Sequence, residues 1–493
     1  MNLASQFRRS VVWSVLGNIG NNLVSFVVFA LVARLVEPGD IGVLAVAMVF
    51  IEMGKVFVYA GVPDLIVRQK VWDEGYAMMC FWLNLAAALI SAVLVVVLVG
   101  PAVEASFAPG ITPILAVLVI CFVIDSIRVV PESKLRRSFD YKSLARRGVG
   151  ANLIAGVLAI ALALLGWGVW ALVVQRVASS LFTTILTLVA ARWLPSGVGS
   201  WRGFVPALGH GAGLVGGSML KLLSDRLPDL LFGFFLGPAA VGIFRVGARG
   251  FEALVQFAVH PVRSASLSTY AAANAQTGKL ENSLLHSLAS ASLFTFPVFY
   301  GAAAVSTEFV QLVFGPQWSA SAVIMATLCL TCPPLVLSAL LQSALSAQHK
   351  TSAILRLNAA NATTTVAVLL IGIPTLGLVG TTAALTGRSY LGMVFNIMVT
   401  VPGVGLRMGD VFRAVFPPLV GSTLFLVGVS GMQNFVPMPP LLQLLSSVGL
   451  GVVIYLAAML LLFRRFTLRT LSFGEQPLSA AIRKIFARLN FSR

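Results

Sequence analysis

The sequence predicts an all-α integral membrane protein of fourteen transmembrane helices, arranged as two six-helix lobes related by a parallel repeat plus two C-terminal helices, with both termini cytoplasmic. Three observations predict it. Of 493 residues, 58% are hydrophobic and only 10% are charged, against roughly 25% charged in soluble domains. Apolar runs close to the ~20 residues needed to cross hydrocarbon recur along the whole chain. The Lys and Arg residues gather in every second connection.

Charges and Pro/Gly clusters bound the runs at roughly 11–34, 41–66, 77–99, 112–130, 148–165, 168–190, 210–236, 239–262, 286–309, 318–346, 353–373, 376–400, 414–433 and 441–463. The turns at 165–168 and 236–239 are tight enough to make helical hairpins of their flanking spans. Arg8 and Arg9 precede the first run, which is too long for a signal-peptide core and lacks a convincing cleavage site, so it reads as an uncleaved span. Trp72, Tyr76, Trp167 and Trp318 stand near span ends, where aromatic anchors are expected.

Of the 34 Lys and Arg residues, 25 fall in the N-terminus, alternate connections and tail, including Arg68, Lys134, Arg146, Arg192, Lys279, Lys350, Arg407 and Arg464. The opposite connections hold none, apart from Arg34 at a helix end. The positive-inside bias places that basic side, and both termini, in the cytoplasm. The net charge of +17 thus reports orientation rather than nucleic-acid binding.

No polar block is long enough for a separate soluble domain, which leaves no room for a nucleotide-driven motor. The outer connections are short, the longest being the dozen or so residues around Gly100–Ile111. No HExxH, Walker A or GxSxG motif stands in a supporting context. Cys329-x-x-Cys332 has no second pair nearby and reads as packing, as do Cys80 and Cys121. Asn361-Ala-Thr363 lies inside an apolar run, out of reach of a glycosyltransferase. The four histidines never cluster, and no metal or cofactor is expected. A secondary transporter, channel or flippase remains.

Shifting the chain by 200 residues lays Gly17, Pro38, Gly42, Glu52 and Phe57 on Gly217, Pro238, Gly242, Glu252 and Phe257. Six spans separate the copies, and an even number keeps their orientation parallel. The expected domains are therefore 1–205, 206–400, a helix pair at 401–463 and a tail at 464–493. In that tail Ile482, Ile485, Phe486 and Leu489 make the apolar face of a short basic amphipathic helix on the inner leaflet.

The first span carries Ser14, Asn18, Asn21 and Ser25 on one face, and the seventh carries Ser218, Lys221, Asp225 and Asp229. Interhelical hydrogen bonding explains the first set as well as a cavity does. The second set, with Arg226 beside it, holds too many ionisable groups for that and points to a water-filled space. Lys55, Arg128, Arg176, Lys221, Arg226, Arg245, Arg249 and Arg388 lie at membrane depth. Each costs at least ~2.5–3.5 kcal/mol there unless paired or wet. Spacing pairs Asp125 with Arg128, Glu52 with Lys55, and Lys221 with Asp225. Arg245, Arg249, Arg388 and Arg176 remain as candidates to bind an anion, against pairing across helices with Asp225, Asp229 or Glu252. Asp225, Asp229, Glu52 and Glu252 are the candidates for ion coupling or gating.

GNIGNNLVSFVVFALVARLVEPGDIGVLAVAMVF at 17–50 resembles the start of bacterial polysaccharide-transporter flippases of the multidrug/oligosaccharidyl-lipid/polysaccharide exporter superfamily. DRLPDLLFGFFLGPAAVGIFRVGAR at 225–249 and VFGPQWSAS at 313–321 resemble the second-half segments. The resemblance covers most of residues 1–400. It implies a bacterial inner-membrane flippase, not an enzyme, that moves undecaprenyl-diphosphate-linked oligosaccharide units by alternating access. It implies two lobes in a V around a cationic cavity, which Arg245 and Arg249 would face with Asn18 and Asn21 opposite; the residue pattern, not the resemblance, adds Lys221, Ser25, Arg176 and Arg388 as candidates to line it. The implied partners are that lipid-linked oligosaccharide, membrane lipids, and the polymerase and chain-length machinery. The last two spans resemble those that flank a lipid-tail groove in the lipid II flippase group. A lipid II flippase and a multidrug or cation antiporter are the alternatives; the antiporter would need an acidic cavity.

Overall fold

Hydrocarbon offers backbone amides and carbonyls no partner, so an apolar chain crossing it must satisfy them within each segment, as a helix does. The computed structural model describes residues 3–59, 62, 63, 66, 72–197, 199, 204–274, 279–435 and 438–472. Among them every regular element is helical. We label them α1 (Leu3–Ala33), α2 (Pro38–Tyr59), α3 (Glu74–Ser106), α4 (Ile111–Arg137), α5 (Tyr141–Leu164), α6 (Val169–Ala191) and α7 (Phe204–Leu236). Next comes α8 (Pro238–Leu254), prolonged by a π turn at Val255–Val259 and a further helix to Asn274. Then follow α9 (Lys279–Ala304), α10 (Ser306–Val313), α11 (Ser319–Cys329), α12 (Cys332–Ala347), α13 (Thr351–Val404), α14 (Met408–Phe435), α15 (Pro440–Leu462) and α16 (Arg464–Ser472). The amphipathic helix expected around Ile482–Leu489 lies outside the described residues, as do Arg68, Lys70 and Arg202.

Ten of these helices are long and apolar enough to cross a membrane, and an eleventh span arises if Pro316–Cys329 and Cys332–Ala347, bent by 43°, count as one. The charged helices α7 and α8 are not in that set. The 54-residue α13 contains two of the expected spans, because Gly377 takes φ 65 and ψ −164 in its middle. Its halves lie side by side. A Cβ on Gly372 would meet Thr381, and one on Gly392 would meet Asn361; both pairs centre on residues 376–377. Large apolar side chains such as Val157, Val189, Leu370 and Leu391 are exposed, Leu391 to 73%, as lipid-facing residues are and water-facing ones rarely are.

The chain forms two compact units. The first comprises residues 1–246, 313–318 and 373–378, and the second 247–312, 319–372 and 379–493. In the first, α1 packs on α5, α5 on α6, and α4 on both α3 and α6. Asp73 caps α3, accepting from the amides of Gly75 and Tyr76. Asp140 caps α5, accepting from the Ser143 amide.

The two Pro-x-x-x-Gly segments that the 200-residue offset overlays meet in the first unit as a reciprocal contact. A Cβ on Gly42 of α2 would lie 1.8 Å from the Pro238 carbonyl oxygen, and one on Gly242 of α8 would lie 1.9 Å from that of Pro38. The equivalent Pro-x-x-x-Gly turns cross backbone to backbone, which only glycine permits. Nearby, Trp318 is fully buried and its Nε1 donates to the Ala33 carbonyl at 2.8 Å. The expected interfacial anchor is thus a buried strut: its indole hydrogen bond satisfies a carbonyl at the end of α1, and its ring fills the space behind. Trp167, by contrast, is exposed.

In the second unit α14 packs along α9 and against α15. Small residues allow the approach: a Cβ on Gly451 would sit 1.9 Å from Phe425 Cε2, and one on Gly301 would sit 2.8 Å from its Cζ. Tyr455 donates its hydroxyl to the Leu293 carbonyl at 2.7 Å, fixing α15 to α9.

Candidate functional site

One charged set in the first unit lies on α2, α7 and the start of α8. Arg226 of α7 donates to both oxygens of Glu52 of α2, Nε at 2.8 Å and Nη2 at 2.9 Å. Planar forks of this kind are the strongest way to hold a carboxylate. One turn on, Asp229 is 1% exposed. It accepts from Arg245 of α8, and Arg226 Nη1 approaches it at 3.9 Å. Lys221 bonds Asp225 on the exposed part of α7, at the i,i+4 spacing read from the sequence. Three cations and three carboxylates therefore alternate along this helix pair and α2. The structure brings Glu52, Asp229 and Arg245 together with Arg226, so Arg245 meets a carboxylate across helices.

The other sequence candidates fall elsewhere. Asn18 is exposed and Ser25 half-buried on α1. Asn21 accepts from Asn152 of α5, whose Oδ1 accepts from Ser179 of α6 at 2.7 Å. Asn21 thus ties three helices within the first unit. Arg249 and Glu252 belong to the second unit, the one half-buried and the other exposed.

A second charged set, inside the bundle of α2, α4, α5 and α6, was not foreseen as a site. Asp125, 2% exposed, accepts from Lys55 of α2 at 2.7 Å and from Ser180 of α6 at 2.6 Å. Arg128 approaches it at 3.3 Å, as the i,i+3 spacing predicts. Glu132 joins Arg128, Arg136 and Arg147 at 3.4, 2.7 and 2.8 Å. The expected pair of Glu52 with Lys55 is therefore not formed. Successive turns of α2 aim the two side chains at different neighbours, Arg226 for one and Asp125 for the other. Asp125 lies midway along α4 and is a buried carboxylate outside the four coupling candidates. The signal was an acid inside an apolar run; its partner stands 70 residues away and leaves no local trace. A cavity of about 150 Å³ opens beside this cluster.

In the second unit, Arg388 donates Nη1 to the Asn361 carbonyl at 3.3 Å, to Asn361 Oδ1 at 3.2 Å and to Thr364 Oγ1 at 3.4 Å. The two halves of α13 place these groups opposite one another. Among the described residues no carboxylate pairs with Arg388. An arginine at half-buried depth whose partners among the described residues are all neutral ordinarily marks a functional position.

The long apolar helices define a multi-pass membrane protein. Its fold is similar to that of the lipid II flippase MurJ in an inward closed conformation, with a TM-score of 0.73 at 11% identity over 94% of this chain and 99% of that one. It is also similar to an inward-facing multidrug resistance MATE transporter, with a TM-score of 0.58 at 16% identity over 80% of this chain and 94% of that one. The chain belongs to the polysaccharide biosynthesis protein family, whose profile matches residues 31–323. It is 24% identical to the succinoglycan biosynthesis transport protein ExoT of Rhizobium meliloti over 64% of each chain. It is 23% identical to the lipopolysaccharide biosynthesis protein WzxC of Escherichia coli over 64% of this chain and 65% of that one. The matched part thus spans just under two thirds of these relatives.

Proposed function

We propose that the chain is a secondary transporter that flips undecaprenyl-diphosphate-linked oligosaccharide repeat units across the bacterial inner membrane, for exopolysaccharide, capsule or O-antigen synthesis. The observation that carries this is the family match over residues 31–323, joined to relatives in succinoglycan and lipopolysaccharide biosynthesis. The physics supports it. A diphosphate with several sugars cannot cross ~30 Å of hydrocarbon unaided. Guanidinium groups bind phosphate oxygens bidentately at any physiological pH. Arg388, whose partners among the described residues are neutral, and Arg249 are the groups we assign to the diphosphate. Both termini lie in the cytoplasm, all fourteen spans cross the membrane, and the cargo passes between the two repeat lobes by alternating access.

The carboxylates act as latches. Glu52 on Arg226, Asp229 on Arg245 and Asp225 on Lys221 are ion pairs that exchange partners as access alternates. Deleting the gene is expected to stop polymer export and make the lipid-linked repeat unit accumulate on the inner leaflet. Accumulation of lipid II with loss of viability would point instead to a peptidoglycan flippase. Sensitisation to cationic dyes with normal export would point to a drug antiporter. Arg249→Ala and Arg388→Ala, if inserted normally, are expected to cut export about tenfold or more, since a charge-assisted contact is worth ~1.5–3 kcal/mol.

A further inference from the structure

Arg388 is held by a set of groups that restrains its side chain without cancelling its charge. Three neutral oxygens on the first half of α13 surround its Nη1: the Asn361 carbonyl at 3.3 Å, Asn361 Oδ1 at 3.2 Å and Thr364 Oγ1 at 3.4 Å. Asn361 supplies two of the three. Nη1 carries only two N–H groups, so that end of the guanidinium is fully engaged. On the other edge, Nη2 reaches Ser389 Oγ at 3.5 Å, and Nε is buried with no partner among the described residues. A buried donor left without an acceptor is costly, more so on a charged group. The second half of α13 also makes room for the Asn361 amide. A Cβ on Gly392, one turn beyond Arg388, would lie 2.8 Å from Asn361 Oδ1. Any larger residue there pushes that oxygen off its place.

We propose that Asn361 is a positioning residue that aims Arg388, leaving the Nε–Nη2 edge of the guanidinium to take two oxygens of the cargo's diphosphate, and that Gly392 supplies the space this needs. The inference rests on the assignment of Arg388 to the diphosphate made above and adds what orients it. Arg226 holds both oxygens of Glu52 through the same Nε–Nη2 edge, which is the side-on fork that suits carboxylate and phosphate alike. The two arginines differ in what their partners carry. A carboxylate neutralises Arg226, whereas amide, carbonyl and hydroxyl oxygens leave Arg388 a full cation. An amide is therefore required at 361. Aspartate has nearly the same shape, but it would bring the negative charge that the cargo otherwise brings. Asn361 acts only through Arg388.

Binding of inorganic pyrophosphate to the purified full-length protein tests this, with thermal unfolding followed on the same samples. Wild type is expected to bind it at least tenfold more tightly than Arg388→Ala, with Arg388→Lys in between because the fork is lost. Asn361→Asp is expected to weaken binding at least tenfold at an unchanged or higher melting temperature, since the new carboxylate pairs with Arg388. A hydrogen bond that served only to hold the helix halves together would predict undiminished binding in that variant. Gly392→Ala keeps every polar group and is expected to weaken binding about threefold or more. Wild-type binding in both Asn361→Asp and Gly392→Ala would overturn the positioning role. Should Asn361→Asp fail to insert, undiminished binding in Gly392→Ala overturns it alone. Equal binding by wild type and Arg388→Ala would overturn the proposal, while flipping of the lipid-linked oligosaccharide by wild type in proteoliposomes would leave the flippase reading standing. Pyrophosphate binding as expected, with no flipping by wild type, would overturn the flippase reading instead.

Discussion

Asp229 is the residue whose environment leaves it least choice. It is buried within the first unit, with Arg245 bonded to it and Arg226 a further turn away. Removing one member of a buried ion pair strands the other, at a cost of about 3–5 kcal/mol, whereas removing both is often nearly neutral. Arg245→Ala is therefore expected to lower the thermal stability of the purified protein markedly, and Arg245→Ala with Asp229→Asn to recover most of it. Thermal unfolding followed by tryptophan fluorescence separates the two. If the single variant is as stable as wild type, Arg245 is not held by Asp229. Loss of export in the stable double variant would then belong to transport rather than folding. Local spacing made the Lys221–Asp225 and Asp125–Arg128 pairs legible in the sequence. Glu52 and Arg226, 174 residues apart, carry no such mark, and neither do Lys55 and Asp125.

At the scale of elements, the crossing of α2 and α8 sets how closely these two helix starts approach in the first unit. With carbonyl oxygens within 2 Å of both imagined Cβ positions, no side chain larger than hydrogen fits without moving a backbone. Gly42→Leu and Gly242→Leu are each expected to separate these helix starts. Spin labels at Glu37 and Ala239, both exposed, should give a short, narrow distance distribution in wild type and a longer component in either variant. Unchanged distributions would mean that the crossing does not govern the separation. Ten of the helices were legible because their apolar runs match a membrane thickness, whereas the charged α7 and α8 do not pass that test; the Pro-x-x-x-Gly pattern showed directly at the 200-residue offset. That the repeated glycines meet each other was not legible, since periodicity gives faces but no partners. Trp318 shows the same limit: its place near a span end suggested an anchor, and only the end of α1 packed over it reveals a buried strut.

For the whole molecule, the proposed orientation rests on the segregation of cations. A cysteine placed at Ser138, between α4 and α5, is expected to resist a membrane-impermeant thiol reagent in intact cells and to react after permeabilisation; reaction in intact cells would invert the topology. Coupling is a property of the whole cycle. If the carboxylates are latches, Asp225→Asn should alter flipping to a similar degree with or without an imposed proton or sodium gradient. Gradient-driven flipping in wild type that vanishes in Asp225→Asn, with downhill flipping intact, would make Asp225 an ion carrier. The most direct test of all is transbilayer movement of a fluorescent undecaprenyl-diphosphate oligosaccharide in liposomes containing only the purified full-length chain. The expected result is nucleotide-independent movement that scales with the amount of protein and is strongly reduced in Arg249→Ala. A rate in wild type no faster than in protein-free liposomes, with the protein folded and inserted, would contradict it.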